Sequence, residues 1–402
     1  MEKTWRWFGP NDVITLPMLR QIGVEGIVSA LHGVPNGEVW TPEAIAAYKA
    51  NIENNGLRWS VVESLPVCEA IKYGGPEREQ LLANYRTSLR NLGEAGVRTV
   101  CYNFMPVIDW IRTDLEHLNP DGTKTLYFDK LRFAYFDLKI LARKGAEADY
   151  TEEELRKVDE MDKTMTQAEK DALVYTIIIK TQGFVNGNIR GDEFDPVGIF
   201  RRLLAQYDGI DRNALRENMK YFLEQVTPVA EEYGVNLCVH PDDPPCQVLG
   251  LPRIVTCKED IEWFLDAVPV HSNGLTFCAG SLSSGAHNDV AAMAEQFASR
   301  THFVHLRSTN TLEGGNFIEA GHLAGRANLI ETTRIFLREE QRRKEAGMVD
   351  WQLPMRVDHG PLMLSDDGKE GYNPGYSLLG RAKALAEMSG VIATIEKYYD
   401  KL

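Results

Sequence analysis

Four short apolar runs in this chain end on side chains that bind metals. Leu237-Cys-Val-His240 and His302-Phe-Val-His305 end on imidazoles, Leu275-Thr-Phe-Cys278 on a thiol, and Met355-Arg-Val-Asp358 on a carboxylate. Together they make a mixed nitrogen, sulfur and oxygen donor set suited to a divalent transition metal. Magnesium and calcium prefer oxygen alone and are disfavoured; manganese, iron and zinc stay open. Each residue taken singly has a plainer use, as a core histidine, a core cysteine or a helix cap. Recurrence at the ends of four consecutive strand-like runs is what argues for one shared site.

Other polar groups fall beside these ends. Arg307 lies two residues past His305, on the same side of a strand, where a guanidinium could hold a substrate carboxylate in bidentate fashion. His359 adjoins Asp358 and suits general acid/base work, since an imidazole titrates near neutral pH. Asn103 and His32, each at a strand end, are candidate substrate contacts. Asp242 and Asp243 follow His240 and serve either to orient its ring or as plain turn residues. His322 falls in a loop with no assigned role.

The elements that position these groups repeat along the chain. Strand-like runs occupy 5–8, 26–31, 58–63, 98–104, 236–240, 274–278, 302–306 and 354–357. Helical stretches separate them. One opens at Thr41-Pro-Glu-Ala44, with Thr41 as N-cap and Pro42 in the first turn. The last spans 376–389, with Gly390 as its stop. Connections this long require parallel strands, and eight strand-helix units make a (β/α)8 TIM barrel in a single domain, 1–402. The rhythm breaks over 108–212, read as a helical insertion after strand four. Thr151-Glu-Glu-Glu154 is a capping box there, and Asn186-Gly-Asn188 and Gly191 mark loops. Its plainer reading is a solvated helical insertion; the sharper one is a lid or dimer arm rising from the catalytic face. No Gly-rich phosphate fingerprint follows any strand.

Composition narrows the partners. The chain has 402 residues and a formal net charge of −14, which excludes nucleic acid and anionic membranes as expected partners. No apolar run has the length of about 18 residues that a membrane helix needs. The six cysteines show no CxxC pair, and the N-terminus lacks the pattern of a signal peptide. A cytoplasmic protein with reduced thiols is expected.

Several longer stretches carry a resemblance. Trp5-Arg-Trp-Phe-Gly-Pro-Asn-Asp12, Cys101-Tyr-Asn-Phe-Met-Pro106, His240-Pro-Asp-Asp-Pro-Pro245, His305-Leu-Arg-Ser308 and Arg356-Val-Asp-His-Gly360 resemble the mannonate dehydratases of bacterial hexuronate (glucuronate) breakdown. The similarity runs over nearly the whole chain. It implies a xylose-isomerase-like barrel, the substrate D-mannonate, the product 2-keto-3-deoxy-D-gluconate, and Mn2+ or Fe2+ as cofactor. The family's ligands fall on His240, Cys278, His305 and Asp358. Its acid/base pair falls on His359 and a following tyrosine, Tyr376 by the Pro-Gly-Tyr pattern, with Tyr372 as the alternative. Cys278-Ala-Gly-Ser281 has alanine where the family pattern has threonine, which leaves the ligand in place. A homodimer or larger homo-oligomer is expected. Two other readings compete: a metal-dependent sugar isomerase on the same barrel, which would want oxygen-rich ligands, and a non-catalytic sugar-binding protein, which would not need the metal set.

Overall fold

Runs that are apolar at successive positions belong in parallel sheets covered on both faces. In chain order the strands are β1 (Glu2–Arg6), β2 (Gly26–Ser29), β3 (Arg58–Glu63), β4 (Thr99–Tyr102), β5 (Asp114–Leu118), β6 (Lys124–Phe128), β7 (Asn236–Val239), β8 (Asn273–Cys278), β9 (Thr301–Leu306), β10 (Thr309–Thr311), β11 (Phe317–Glu319) and β12 (Pro354–Val357). The computed structural model describes residues 1–183, 189 and 191–398. Eight strands close a parallel barrel in the order β1-β12-β9-β8-β7-β4-β3-β2, with β2 pairing back onto β1. All six residues of β8 and all six of β9 are buried. The eight expected strands are therefore the eight barrel strands. The first lies earlier than its aromatic run suggested, because Glu2, Lys3 and Thr4 pair with Pro354, Met355 and Arg356.

Period-two alternation sorts the interior into layers. Val28, Val61, Cys101, Cys238 and Phe303 form a small buried cluster of their own inside the barrel. The next inward residue on four of these strands is polar: Glu63, Asn103, His240 and His305. An apolar plug thus floors a polar chamber at the C-terminal mouth. The edge of Phe303 packs under the ring of His305, with centroids 4.5 Å apart.

The helices follow their local signals. Thr41 caps Pro42–Glu53 by accepting from the Ala44 amide at 3.3 Å, and Thr151 and Glu154 complete the capping box of Glu152–Asp162. Gly390 does not stop the last helix, which runs Leu378–Tyr398. Beyond it Ile392 and Ile395 continue the apolar period and are buried, and that burial outweighs the roughly 1 kcal/mol a helical glycine costs. No helix among the described residues is long and apolar enough to cross a membrane.

The region 108–212 is not purely helical. It opens with the antiparallel hairpin β5–β6, whose β6 pairs with β11, giving a four-stranded sheet β10-β11-β6-β5 outside the barrel. Asp121-Gly122, with Gly122 at φ +85°, was the available turn signal. The loop expected at 186–188 lies outside the described residues. The first residues of the region reach the mouth: the Gln182 side chain donates to the Trp110 carbonyl and accepts from the Asp109 amide, both at 2.9 Å. Gln182→Ala strands both backbone groups in a buried setting, a cost of about 1–3 kcal/mol. We expect the variant to lose about that much stability, as read by denaturant titration.

Candidate active site and metal centre

His240, Cys278 and His305 converge at the mouth, with one donor atom from each lying within 4.8 Å of the others. The His240 and His305 rings are 5.1 Å apart, centroid to centroid. Nδ1 of His240 lies 2.7 Å from the Pro241 carbonyl. A carbonyl only accepts, so Nδ1 carries a proton, and Nε2 is the ring nitrogen left to face a metal. Neither Asp242 nor Asp243 performs this orienting job. Asp242 holds Arg253 and the Val255 amide, while Asp243 receives Arg112, Arg307 and Ser281.

Asp358 is the fourth expected ligand. Its Oδ2 is 3.9 Å from the Cys278 sulfur, but the carboxylate also accepts from Arg307 at 3.1 Å and from Arg356. Burial pushes the Asp358 carboxyl up, and the charges of Arg356, His359 and Arg307 more than reverse this, holding it well below the usual carboxylate range. Two imidazoles, one thiol and an adjacent ionised carboxylate fit a divalent transition ion in donor type and in number. A second group, His271, His302 and Asp350, lies at the opposite end of the barrel. There Asp350 already accepts from His271 and Asn236 at 2.8 Å each, a closed polar pair.

Arg307 is placed differently from the expectation. It is buried, and every guanidinium nitrogen meets a carboxylate: Nε to Glu319 at 2.9 Å, Nη2 to Asp243 at 2.8 Å and Nη1 to Asp358 at 3.1 Å. With its fork filled it is not a free clamp for substrate; it ties three acids into the chamber wall. A Cβ at Gly280 would lie 2.3 Å from this side chain, so only glycine fits beneath it. Arg356 is equally occupied, by Glu63 at 2.9 Å, His305 at 3.1 Å and Asp358.

His359 and Tyr376 stand together over the chamber. Their rings meet edge to face at 5.3 Å, and the Tyr376 hydroxyl donates to Asp358 at 3.3 Å. Burial first, then the Asp358 charge, push the Tyr376 phenol well above its ordinary value. Tyr372 instead donates to Asp366 at 3.0 Å, away from the cavity. Asn103 lines the cavity and donates to Asp109. His32 is not among the lining residues; it packs behind Phe8, whose ring meets Tyr376 edge-on at 5.0 Å.

Glu319 was not anticipated. It comes from β11, and its carboxylate meets Arg307, Arg112 at 2.8 Å and His359 Nδ1 at 3.2 Å. Burial would raise its pKa, but Arg307 and His359 outweigh it and hold the carboxyl at about 2. A folded-state pKa below the unfolded one contributes stability above about 4.5 that is lost as pH falls toward about 2. We expect Glu319→Gln to lose roughly 3 kcal/mol at neutral pH, with the gap to the native protein closing below about pH 4 in denaturant titrations.

A closed parallel barrel with a metal-capable, acid/base-equipped mouth at the C-terminal strand ends defines a TIM-barrel enzyme. The family model for D-mannonate dehydratase (UxuA) matches residues 1–401, and the chain belongs to that family. It is 48% identical to a mannonate dehydratase of Marinomonas sp. (strain MWYL1), over 97% of this chain and 98% of that relative. It is 46% identical to one of Chromohalobacter salexigens, over 99% of each. The crystal structure of mannonate dehydratase from Streptococcus suis serotype 2 superposes with a TM-score of 0.75 at 34% identity, covering 98% of this chain and 94% of that one.

Proposed function

We infer that this chain is a hydro-lyase that converts D-mannonate to 2-keto-3-deoxy-D-gluconate and water, in hexuronate breakdown in the cytoplasm. Family membership over residues 1–401 supports the reaction class, and the convergence of His240, Cys278 and His305 beside His359 and Tyr376 is the observation that carries the site assignment.

The reaction breaks the C2–H and C3–O bonds. The C–H electrons form a C2=C3 double bond as hydroxide leaves, and the resulting enol becomes the 2-keto acid by taking a proton at C3. We assign the ligands as His240, Cys278, His305 and Asp358 and the native ion as Mn2+ or Fe2+. When bound, such an ion supplies Lewis acidity beside C2, making its proton easier to remove.

The polypeptide supplies the proton transfers. Glu319 is ionised and therefore accepts from His359 Nδ1, which leaves the Nε2 lone pair to act as base toward C2. Tyr376 stays protonated at neutral pH, and its hydroxyl is the acid that delivers a proton to the departing C3 oxygen. Asn103 fits a substrate hydroxyl, Arg307 fixes the carboxylates around the reacting centre, and His32 supports the Phe8–Tyr376 packing from behind. The region 108–212 closes one side of the chamber through Asp109 and Trp110. Assembly as a homodimer or larger homo-oligomer belongs to the same reading.

Metal-loaded protein given D-mannonate or D-mannose in parallel tests the reading. Formation of a 2-keto acid from mannonate alone is expected; conversion of the aldose to its ketose, with mannonate untouched, would replace this reading with a sugar isomerase.

A further inference from the structure

Among the described residues, three arginines line the chamber: Arg6, Arg307 and Arg356. The last two are saturated by Glu63, Asp243, Glu319, Asp358 and His305. Arg6 is not. Among the described residues its buried Nη1 has no hydrogen-bond partner, and the nearest carboxylate oxygen, Glu63 Oε2, is 3.8 Å away, beyond hydrogen-bond reach. That oxygen is itself without a partner. The residue as a whole is 8% exposed. A buried guanidinium with an unused N–H is costly unless something completes it.

The surroundings hold Arg6 facing inward. It is the last residue of β1 and shares the inward face with the buried Thr4. Its own carbonyl accepts from Arg381 at 3.1 Å, which anchors the strand end. Its guanidinium carbon lies 5.2 Å from the Phe8 ring centroid, and Phe8 abuts Tyr376. Arg6 therefore sits on the same wall as the tyrosine, across the mouth from Cys278. A sugar acid must bring a carboxylate into a protein of net charge −14, into a chamber where the forks of Arg307 and Arg356 are full.

We propose that Arg6 binds the C1 carboxylate of the substrate, with Nη1 donating to it, and so selects acids over neutral sugars. The assignment rests on the sugar-acid reading of the site. It turns the C1 end toward β1 and leaves C2 and C3 facing His359 and Tyr376.

The 3-deoxy analogue of D-mannonate has no leaving group at C3 and is not consumed, so it and its C1 carboxamide make a matched pair of probes. Calorimetric titration of the metal-loaded native protein should show the acid binding at least about thirtyfold tighter than the amide. Arg6→Ala should bring that ratio close to one by weakening the acid alone, with metal content unchanged. Arg6→Lys keeps a charge without the planar fork; it should retain part of the preference, and it carries the test should the alanine variant not fold. Preservation of the native ratio in either folded variant would overturn the assignment. A purely structural role would instead weaken acid and amide alike and lower thermal stability, which also overturns it. Failure of the native protein to bind either probe would defeat the sugar-acid reading itself, and the role of Arg6 with it.

Discussion

Cys278→Ser should lose bound metal and turnover together. The sulfur sits among His240, His305 and Asp358 and accepts from the Ser281 amide at 3.5 Å and its hydroxyl at 3.1 Å. A thiolate is the form of cysteine that binds a transition ion. A serine hydroxyl occupies nearly the same space but stays protonated near neutral pH and is a far poorer ligand. Losing one of the four proposed ligands should weaken metal affinity by about a hundredfold or more, and kcat should fall in proportion to occupancy. Elemental analysis of the purified variant, paired with kinetics over a range of added Mn2+ or Fe2+, separates weak binding from a dead site. A variant with full metal content and full turnover would take Cys278 out of the centre.

His359→Gln and Tyr376→Phe should each lower kcat by about 10²–10⁴-fold, the range set by one positioned proton-transfer group. Both changes keep size and packing close to the original, so folding and metal content should hold. Tyr376 stays protonated well past neutral pH, so its phenylalanine variant loses a proton donor, whereas the glutamine variant loses the imidazole that takes the C2 proton. Were the two variants to keep native turnover with metal bound, the proton transfers would belong elsewhere in the chamber.

Much of this site could be read from strand ends alone. His240, Cys278, His305 and Asp358 announce themselves because metal-capable side chains closing apolar runs are an unusual pattern. His359 follows from adjacency, and Tyr376 from a local Pro-Gly-Tyr pattern. The ionic frame was harder to read. Arg6, Glu63 and Arg356 also obey period-two alternation, but a charged residue in a short strand looks like an exposed position unless the barrel interior is known to be polar above a plug such as Val61, Cys101 and Phe303. Arg307 was placed correctly in the fold and given the wrong company. Sequence shows a guanidinium near an imidazole, whereas its partners Asp243 and Glu319 arrive from other strands and loops. Glu319 depended on a hairpin of three-residue strands that becomes a sheet only by pairing with β6. Strands that short have no periodicity to detect.

The reaction run in D2O tests the central claim most directly. With metal-loaded protein and D-mannonate, NMR should show 2-keto-3-deoxy-D-gluconate carrying one solvent deuteron at C3, no product from metal-stripped protein, and almost none from His359→Gln. Undiminished conversion by the metal-stripped protein, or mannonate left intact by the fully loaded one, would contradict the account.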